Sequence, residues 1–140
     1  MLTGLSFGET EEFVSAYDPD KDNPTVFILG VIDLNIMASI EDELTSFRFN
    51  PANPTGTADS TLRINQRNLE IIRFALKGVR NFVDAKGNEI PFKTKKVNRF
   101  GKTYEVVADE FLNRIPKKVI DELADHILNA NLPSEEELKN

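Results

Sequence analysis

Apolar residues recur along the chain at two spacings, and the change of spacing marks the predicted elements. Residues 11–17 mix polar and apolar positions and residues 25–32 are almost continuously apolar, so both stretches are predicted as strands. An acidic loop separates them. A hairpin is the simplest connection, and the chain is therefore expected to open with an antiparallel pair.

Three longer stretches repeat apolar residues every three or four positions, which is typical of amphipathic helices. The first follows Asp33, a residue type that caps helices. The second covers residues 61–77, with Gly78 as its predicted stop. The third starts at Pro116, since proline is tolerated in the first turn of a helix. Its predicted buried stripe is Val119, Ile120, Leu123, Ala124, Ile127 and Leu128.

Two hairpins are predicted between the second and third helices. Residues 79–92 alternate apolar and polar positions around a turn at residues 84–87, where a glycine can take a positive backbone angle. A second hairpin, "KKVNRFGKTYEVV", is predicted to turn at Gly101 and Lys102. Asp109 is then expected to cap a short helical turn.

Residues 48–60 contain two prolines, a glycine and several small polar residues, so they are predicted as a flexible loop. Residues 133–140 are predicted as a short C-terminal tail. A length of 140 residues fits one domain. The expected fold class is α+β: a single small domain over residues 1–140 with an N-terminal hairpin, two or three amphipathic helices and a central β-hairpin region.

Charge is segregated along the chain. The net charge is −6, yet residues 60–104 hold eleven basic and three acidic residues, or +8, which leaves −14 for the remainder. Such asymmetry favours docking between oppositely charged proteins or copies, or contact with nucleic acid. The basic residues of interest are Arg63, Arg67, Arg73, Lys77, Lys93, Lys95, Lys96, Arg99 and Lys102.

Composition narrows the class of protein. Hydrophobic residues make up 40% of the chain, and no apolar run approaches the length of a membrane span, so a soluble protein without membrane contact is expected. The chain has no cysteine, which excludes disulfides and thiolate metal sites. Glutamates stand near the start where a secretion signal needs basic and apolar residues, which favours an intracellular origin.

The acidic loop "DPDKDN" resembles the start of a calcium loop, because its three aspartates alternate. Asn23 stands where that loop needs a glycine, and Leu29 stands where it needs a bidentate glutamate. The loop is therefore interpreted as a solvated turn, with a weak cation site as the alternative.

Catalytic patterns are not evident. His126 is the single histidine and lies four residues after Glu122, where a helical side-chain pair is expected. The seven glycines follow no nucleotide-binding or nucleophile pattern. The expectation is a protein that is not an enzyme, with no catalytic residues, no cofactor and no metal.

The order of features in residues 68–140 resembles small proteins from the virion-morphogenesis regions of tailed bacteriophages and prophages, often described as tail assembly chaperones. The resemblance rests on "LKG" closing a helix, then "NFVDAKGNEIPF", then "DEFLNRIPKKVIDELADHIL", then "LPSEEELKN". In those proteins the corresponding phrases are similar to "LKGWENF", "DEDGNEVPF" and "LSEEEEKN". Val79 and Arg80 replace the usual tryptophan and its neighbour here.

The resemblance implies a non-enzymatic role in virion tail assembly by protein–protein binding, with a tape-measure or tail-tube protein as partner, in the bacterial host cytoplasm. The nine basic residues are hypothesised to meet an acidic surface of that partner. A permanent virion component, such as a neck or head-to-tail connector subunit that forms a homo-oligomer, is the first alternative. A nucleic-acid-binding or host-interfering phage protein is the second, because Phe92, Phe100 and Tyr104 lie among the basic residues.

Overall fold

The fold combines helices with two small antiparallel sheets. The computed structural model describes residues 1–4, 6–48 and 57–130, with side chains described outside 43–63. Within those residues it has four helices, one sheet of three strands and one of two. The predicted α+β class is confirmed. None of these helices is both long and apolar enough to cross a membrane.

The three-stranded sheet contains the predicted N-terminal hairpin. Strand β1 (Glu11–Val14) pairs antiparallel with β2 (Val26–Leu29), and β2 pairs antiparallel with β3 (Leu76–Arg80). The two hairpin strands are shorter than predicted. Their connecting loop is shaped by Asp18, whose carboxylate accepts hydrogen bonds from the backbone N–H groups of Asp20 and Thr25, at 2.9 and 2.7 Å.

Strand β3 corrects the prediction that a helix continues to residue 77 and stops at Gly78. The helix ends at Ala75, and β3 starts at the next residue. Gly78 lies within the strand opposite Ile28, and a Cβ at position 78 would stand 3.3 Å from Ile28 Cδ1. Pairing with strand β2 therefore overrides the local helical pattern. Because Gly78 has no side chain, the Ile28 side chain can pack directly against the backbone of β3.

Two helices lie between strands β2 and β3 in the chain; Leu34, the first residue of the apolar repeat predicted for the first of them, is exposed, and Ile36 is buried instead. Helix α1 spans Leu34–Arg48, and the carboxylate of Asp33 accepts the Ile36 backbone N–H at 2.9 Å, so the predicted cap is confirmed. Helix α2 spans Thr57–Ala75 and so begins inside the predicted loop of residues 48–60. The prolines and the glycine of that segment all precede Thr57, which explains the early start. Residues 49–56 of the predicted loop, and the whole predicted tail 133–140, lie outside the described residues.

Strands β4 (Thr94–Arg99) and β5 (Lys102–Val107) form the predicted second hairpin, which we call the ribbon. Its turn residues are Phe100 and Gly101, at φ 54° and 73°, one position earlier than predicted. The first predicted hairpin is reduced to a turn closed by one bridge between Val83 and Glu89. Val79 and Arg80, the predicted start of its first strand, belong to β3 instead.

The last two helices are α3 (Asp109–Leu112) and α4 (Lys117–Ala130). Ala108, not Asp109, is the N-cap of α3, and it makes no side-chain capping hydrogen bond. Pro116 immediately precedes α4, and its carbonyl accepts the N–H groups of Val119 and Ile120, both at 3.0 Å. The predicted apolar stripe of α4 is confirmed: all its members are buried except Leu128, which is partly buried.

Helix α2 runs through the middle of the core and contacts α1, α4 and the ribbon. Ile71 and Ile72 are completely buried, as are Leu123 of α4 and Val107 of β5. Phe111 of α3 is 2% exposed and holds the segment between β3 and β4 in place through edge contacts with other phenylalanines. Strand β5 of the ribbon packs against α2 and β3, and the candidate site lies beside this contact.

Candidate partner-binding surface

The ribbon presents different basic residues on its two faces, because side chains alternate along a strand. Lys95, Val97 and Arg99 share one face of β4, and Lys96 lies on the other. The register pairs Val97 with Tyr104 and Arg99 with Lys102, which places Arg99 and Lys102 on the face whose Tyr104 ring contacts Phe74 of α2 at 5.7 Å between ring centroids. Arg99 and Lys102 therefore face the helices, and Lys96 faces away from them.

Several of the predicted partner-binding residues are engaged with acidic residues of the same chain. Arg73 forms an ion pair with Glu70 and donates a hydrogen bond to Asp109 at 3.0 Å. Lys95 also reaches Asp109, at 3.2 Å. The hydrogen bond from Lys95 and the nearby charge of Arg73 hold the pKa of Asp109 below its usual value. Lys93 contacts Glu110 at 3.2 Å.

Other members of the predicted set bind uncharged groups. Arg67 donates to the side-chain oxygen of Asn68 at 3.0 Å, and Asn68 donates to Asp121 of α4 at 2.9 Å. Lys77 donates to the backbone carbonyl of Phe74 at 3.0 Å. Burial lowers the pKa of Lys77, an effect that the charge of Glu105 partly offsets. The side chain of Arg63 lies outside those that the structure describes.

Lys96, Arg99 and Lys102 are exposed and form no ion pair with any described residue. Arg99 donates only to the backbone carbonyl of Asn98, at 3.2 Å. The Lys102 ammonium lies 5.6 Å from the centroid of the Tyr104 ring. These three cations are therefore more available to a partner than Arg73, Lys93 and Lys95, which are already paired, although the charge of Lys102 also helps to lower the pKa of Asp33.

One hydrogen bond that the sequence does not suggest joins the ribbon to the residue that caps α1. The hydroxyl of Tyr104 donates to Asp33 at 2.6 Å, across 71 positions of sequence. Burial acts to raise the pKa of Asp33, but the hydrogen bonds from Tyr104 and the Ile36 N–H outweigh it, and the pKa lies below its usual value. The same hydrogen bond raises the pKa of Tyr104. No local pattern signals this pairing.

Two adjoining cavities lie where the ribbon meets the helices, and together we call them the α1 groove. The larger has a volume of about 400 Å³ and is lined by Ile36, Ser39, Ile40, Gln66, Leu69, Glu70, Arg73, Phe74 and Arg99. The smaller has a volume of about 280 Å³ and is lined by Phe7, Val31, Ile32, Asp33, Ile36, Phe74, Lys77, Lys102 and Tyr104. The two share the lining residues Ile36 and Phe74 and are therefore adjacent.

The aromatic residues among the cations do not form a row for stacking bases. Phe92 packs edge-on against Phe111 at 5.1 Å, and Tyr104 packs against Phe74. Phe100, at the ribbon turn, is 60% exposed. Two of the three aromatics are thus used for packing within the chain.

The acidic loop at residues 18–23 and the single histidine, His126, both form hydrogen bonds within the chain. Asp20 of the acidic loop accepts the Asn23 backbone N–H at 3.0 Å, and no three acidic or histidine side chains of the described residues are gathered as metal ligands. The expected pairing of His126 with Glu122 is wrong. His126 contacts Glu11 of β1 at 2.8 Å, while Glu122 accepts the Ala16 N–H at 2.8 Å.

Comparison with known proteins adds no relative. No protein-family model matches the chain, and no curated protein sequence or solved structure shows significant similarity to it. The basis for a proposed function is therefore the ribbon, the groove beside it and the resemblance of the sequence motifs.

Proposed function

We propose that this protein is a non-enzymatic factor in the assembly of tailed-phage virions, and that it acts by binding an acidic surface of a tail protein. The observation that carries the proposal is the trio of exposed cations on the ribbon, Lys96, Arg99 and Lys102, whose side-chain nitrogens form no ion pair within 4 Å in the described part of the chain. The phage setting rests on the resemblance of residues 68–140 to tail assembly chaperones. The partner in this proposal is a tape-measure or tail-tube protein.

The strength of such a contact follows from the number of available charges. An exposed ion pair contributes about 0.2–1 kcal/mol, so three pairs contribute about 0.6–3 kcal/mol, or about 3- to 150-fold in affinity. Electrostatic contacts of this kind also accelerate association at low ionic strength. Binding should therefore weaken steeply as salt is added.

The test is co-purification of the chain with the tape-measure or tail-tube protein of its own genome, followed by a binding titration at low and physiological salt. Replacing Lys96, Arg99 and Lys102 together by glutamine should reduce the affinity and flatten its salt dependence. The matched control replaces the three paired basic residues Arg73, Lys93 and Lys95, whose removal should change the salt dependence less. Equal affinity and equal salt dependence for the triple glutamine variant and the native chain would overturn the proposal.

A second candidate is a permanent connector subunit, and one observation favours it. Strand β1 lies at the edge of its sheet and carries two exposed acidic side chains on opposite faces. Glu12 is 64% exposed and pairs with Arg80, and Glu11 is 53% exposed and contacts His126. On this candidate the basic ribbon of one copy docks onto the acidic β1 edge of the next, in a head-to-tail ring. On this candidate the chain self-associates at low salt and is retained in the finished virion.

A further inference from the structure

The α1 groove has an apolar floor. Ile36 and Ile40 stand one helical turn apart on α1, and Leu69 and Phe74 come from α2. Three of these four side chains are at most 6% exposed, so they form a fixed base rather than a loose patch. A cleft of about 400 Å³ on such a base is large enough to take several apolar side chains of another molecule.

The rim of the groove is cationic. Arg73, Arg99, Lys77 and Lys102 line the two cavities with Glu70 and Asp33. Arg73 is paired with Glu70 and with Asp109, so Arg99, Lys77 and Lys102 are the lining cations that form no ion pair with a described residue. Both carboxylates are already engaged, Glu70 by Arg73 and Asp33 by Tyr104. The groove therefore attracts a negatively charged occupant.

The ammonium of Lys77 supports the same conclusion. It lines the smaller cavity and donates to the Phe74 carbonyl, and burial lowers its pKa, an effect that the charge of Glu105 partly offsets. A carboxylate entering this cavity would stabilise its charged form. The groove thus presents an apolar floor next to cations that are incompletely compensated.

We propose that the α1 groove binds an acidic amphipathic helix of the partner protein, with apolar side chains on the floor and carboxylates toward Arg99, Lys102 and Lys77. Helix-in-groove recognition uses apolar anchors at i, i+3, i+4 and i+7, a spacing that suits a floor built from residues of two helices. Nucleic acid fits less well, because the floor is mostly aliphatic and offers few exposed rings for stacking. The inference rests on the proposed function in taking the partner to be a protein.

The test uses a fluorescein-labelled helical peptide of about 15 residues, with leucines at the anchor spacing and glutamates beside them. Two comparison peptides replace each glutamate by lysine or scramble the order. Binding to the full chain is measured by fluorescence anisotropy at low and physiological salt. The glutamate peptide should bind, and both comparison peptides should bind at least about tenfold more weakly.

Two matched pairs of variants locate the binding site. Arg99→Gln removes a cation that lines the groove, and Lys86→Gln removes an exposed cation from the turn at residues 84–87, which lines neither cavity. Ser39→Trp fills the larger cavity, and Ala38→Trp places the same ring on the exposed neighbouring position. Arg99→Gln should weaken binding about 2- to 5-fold and Ser39→Trp at least about tenfold, with both controls within about twofold of the native chain. Circular dichroism of each variant verifies that it is folded.

The possible outcomes distinguish failure of the groove proposal from failure of the proposed function. Equal weakening by Arg99→Gln and Lys86→Gln, with no effect of Ser39→Trp, would overturn the groove while leaving electrostatic partner binding in place. Equal binding of the lysine and glutamate peptides, or no binding of the glutamate peptide at millimolar concentration, would also overturn it. The groove proposal would also be overturned if the chain bound a single-stranded DNA oligonucleotide more tightly than the peptide and Ser39→Trp weakened that DNA binding. Loss of the tail-protein interaction in the triple glutamine variant remains an independent readout of the proposed function.

Discussion

Replacement of Phe111 tests whether the aromatic cluster beneath the ribbon holds it in position. Phe111 is 2% exposed and contacts Phe92 and Phe82 edge-on, at 5.1 and 5.6 Å between ring centroids. Truncation of a buried phenylalanine to alanine costs about 3–5 kcal/mol through lost burial and the cavity left behind. Phe111→Ala should therefore lower the free energy of unfolding by about that amount. Phe111→Leu keeps most of the burial but loses two edge contacts of about 0.5–1.5 kcal/mol each, so it should cost about 1–3 kcal/mol.

The assay is urea unfolding followed by circular dichroism. With a denaturant dependence of about 1–3 kcal/mol per molar, Phe111→Ala should move the midpoint down by about 1–5 M. Phe100→Ala is the matched control, because Phe100 is 60% exposed and its truncation should change stability by no more than about 0.5 kcal/mol. Equal midpoint shifts for the two alanine variants, or a cost below about 1 kcal/mol at Phe111, would refute the packing described for this cluster.

Two further predictions concern the cap of α1 and the turn of the ribbon. The folded carboxyl of Asp33 binds its proton less readily than the unfolded one, so its contribution to stability is present above the ordinary pKa of 3.8 and is lost as pH falls below it. Tyr104→Phe removes the hydrogen bond that lowers this pKa, so the variant should lose less stability than the native chain when the pH falls from neutral to below 3.8. Urea midpoints at the two pH values measure this loss. An equal loss in both proteins would contradict the assignment. Gly101 has φ 73°, and Gly101→Ala should destabilise by about 1–2 kcal/mol in thermal melts, whereas Gly4→Ala, with open space around it, should not. Identical melting temperatures for these two variants would show that the turn conformation is not required.

Elements with a strong local signal could be predicted from the sequence. The apolar stripe of α4 repeats every three or four residues, and the structure buries that stripe. Asp33 caps α1 as its position before an apolar repeat suggested. The glycine of the ribbon turn identified the second hairpin within one residue. In each case the determining residues are neighbours in sequence.

Elements determined by distant contacts could not be predicted. Strand β3 has the local pattern of a helix end, and only its pairing with β2 reveals a strand. The ion pairs that compensate Arg73 and Lys95 join them to Asp109, which is 36 positions from Arg73. Sequence reasoning identified a basic surface but not which cations are available, since availability depends on acids brought together by the fold. The α1 groove has no linear signature, because its floor comes from two separate helices.

The most direct test of the proposed role in assembly is quantitative mass spectrometry of purified virions against infected-cell lysate, for the phage or induced prophage that the proposal takes as the source of this chain. An assembly factor that leaves before maturation should be abundant in the lysate and absent from virions. A fixed copy number per virion would contradict that role and would identify the chain as a structural component such as a connector subunit.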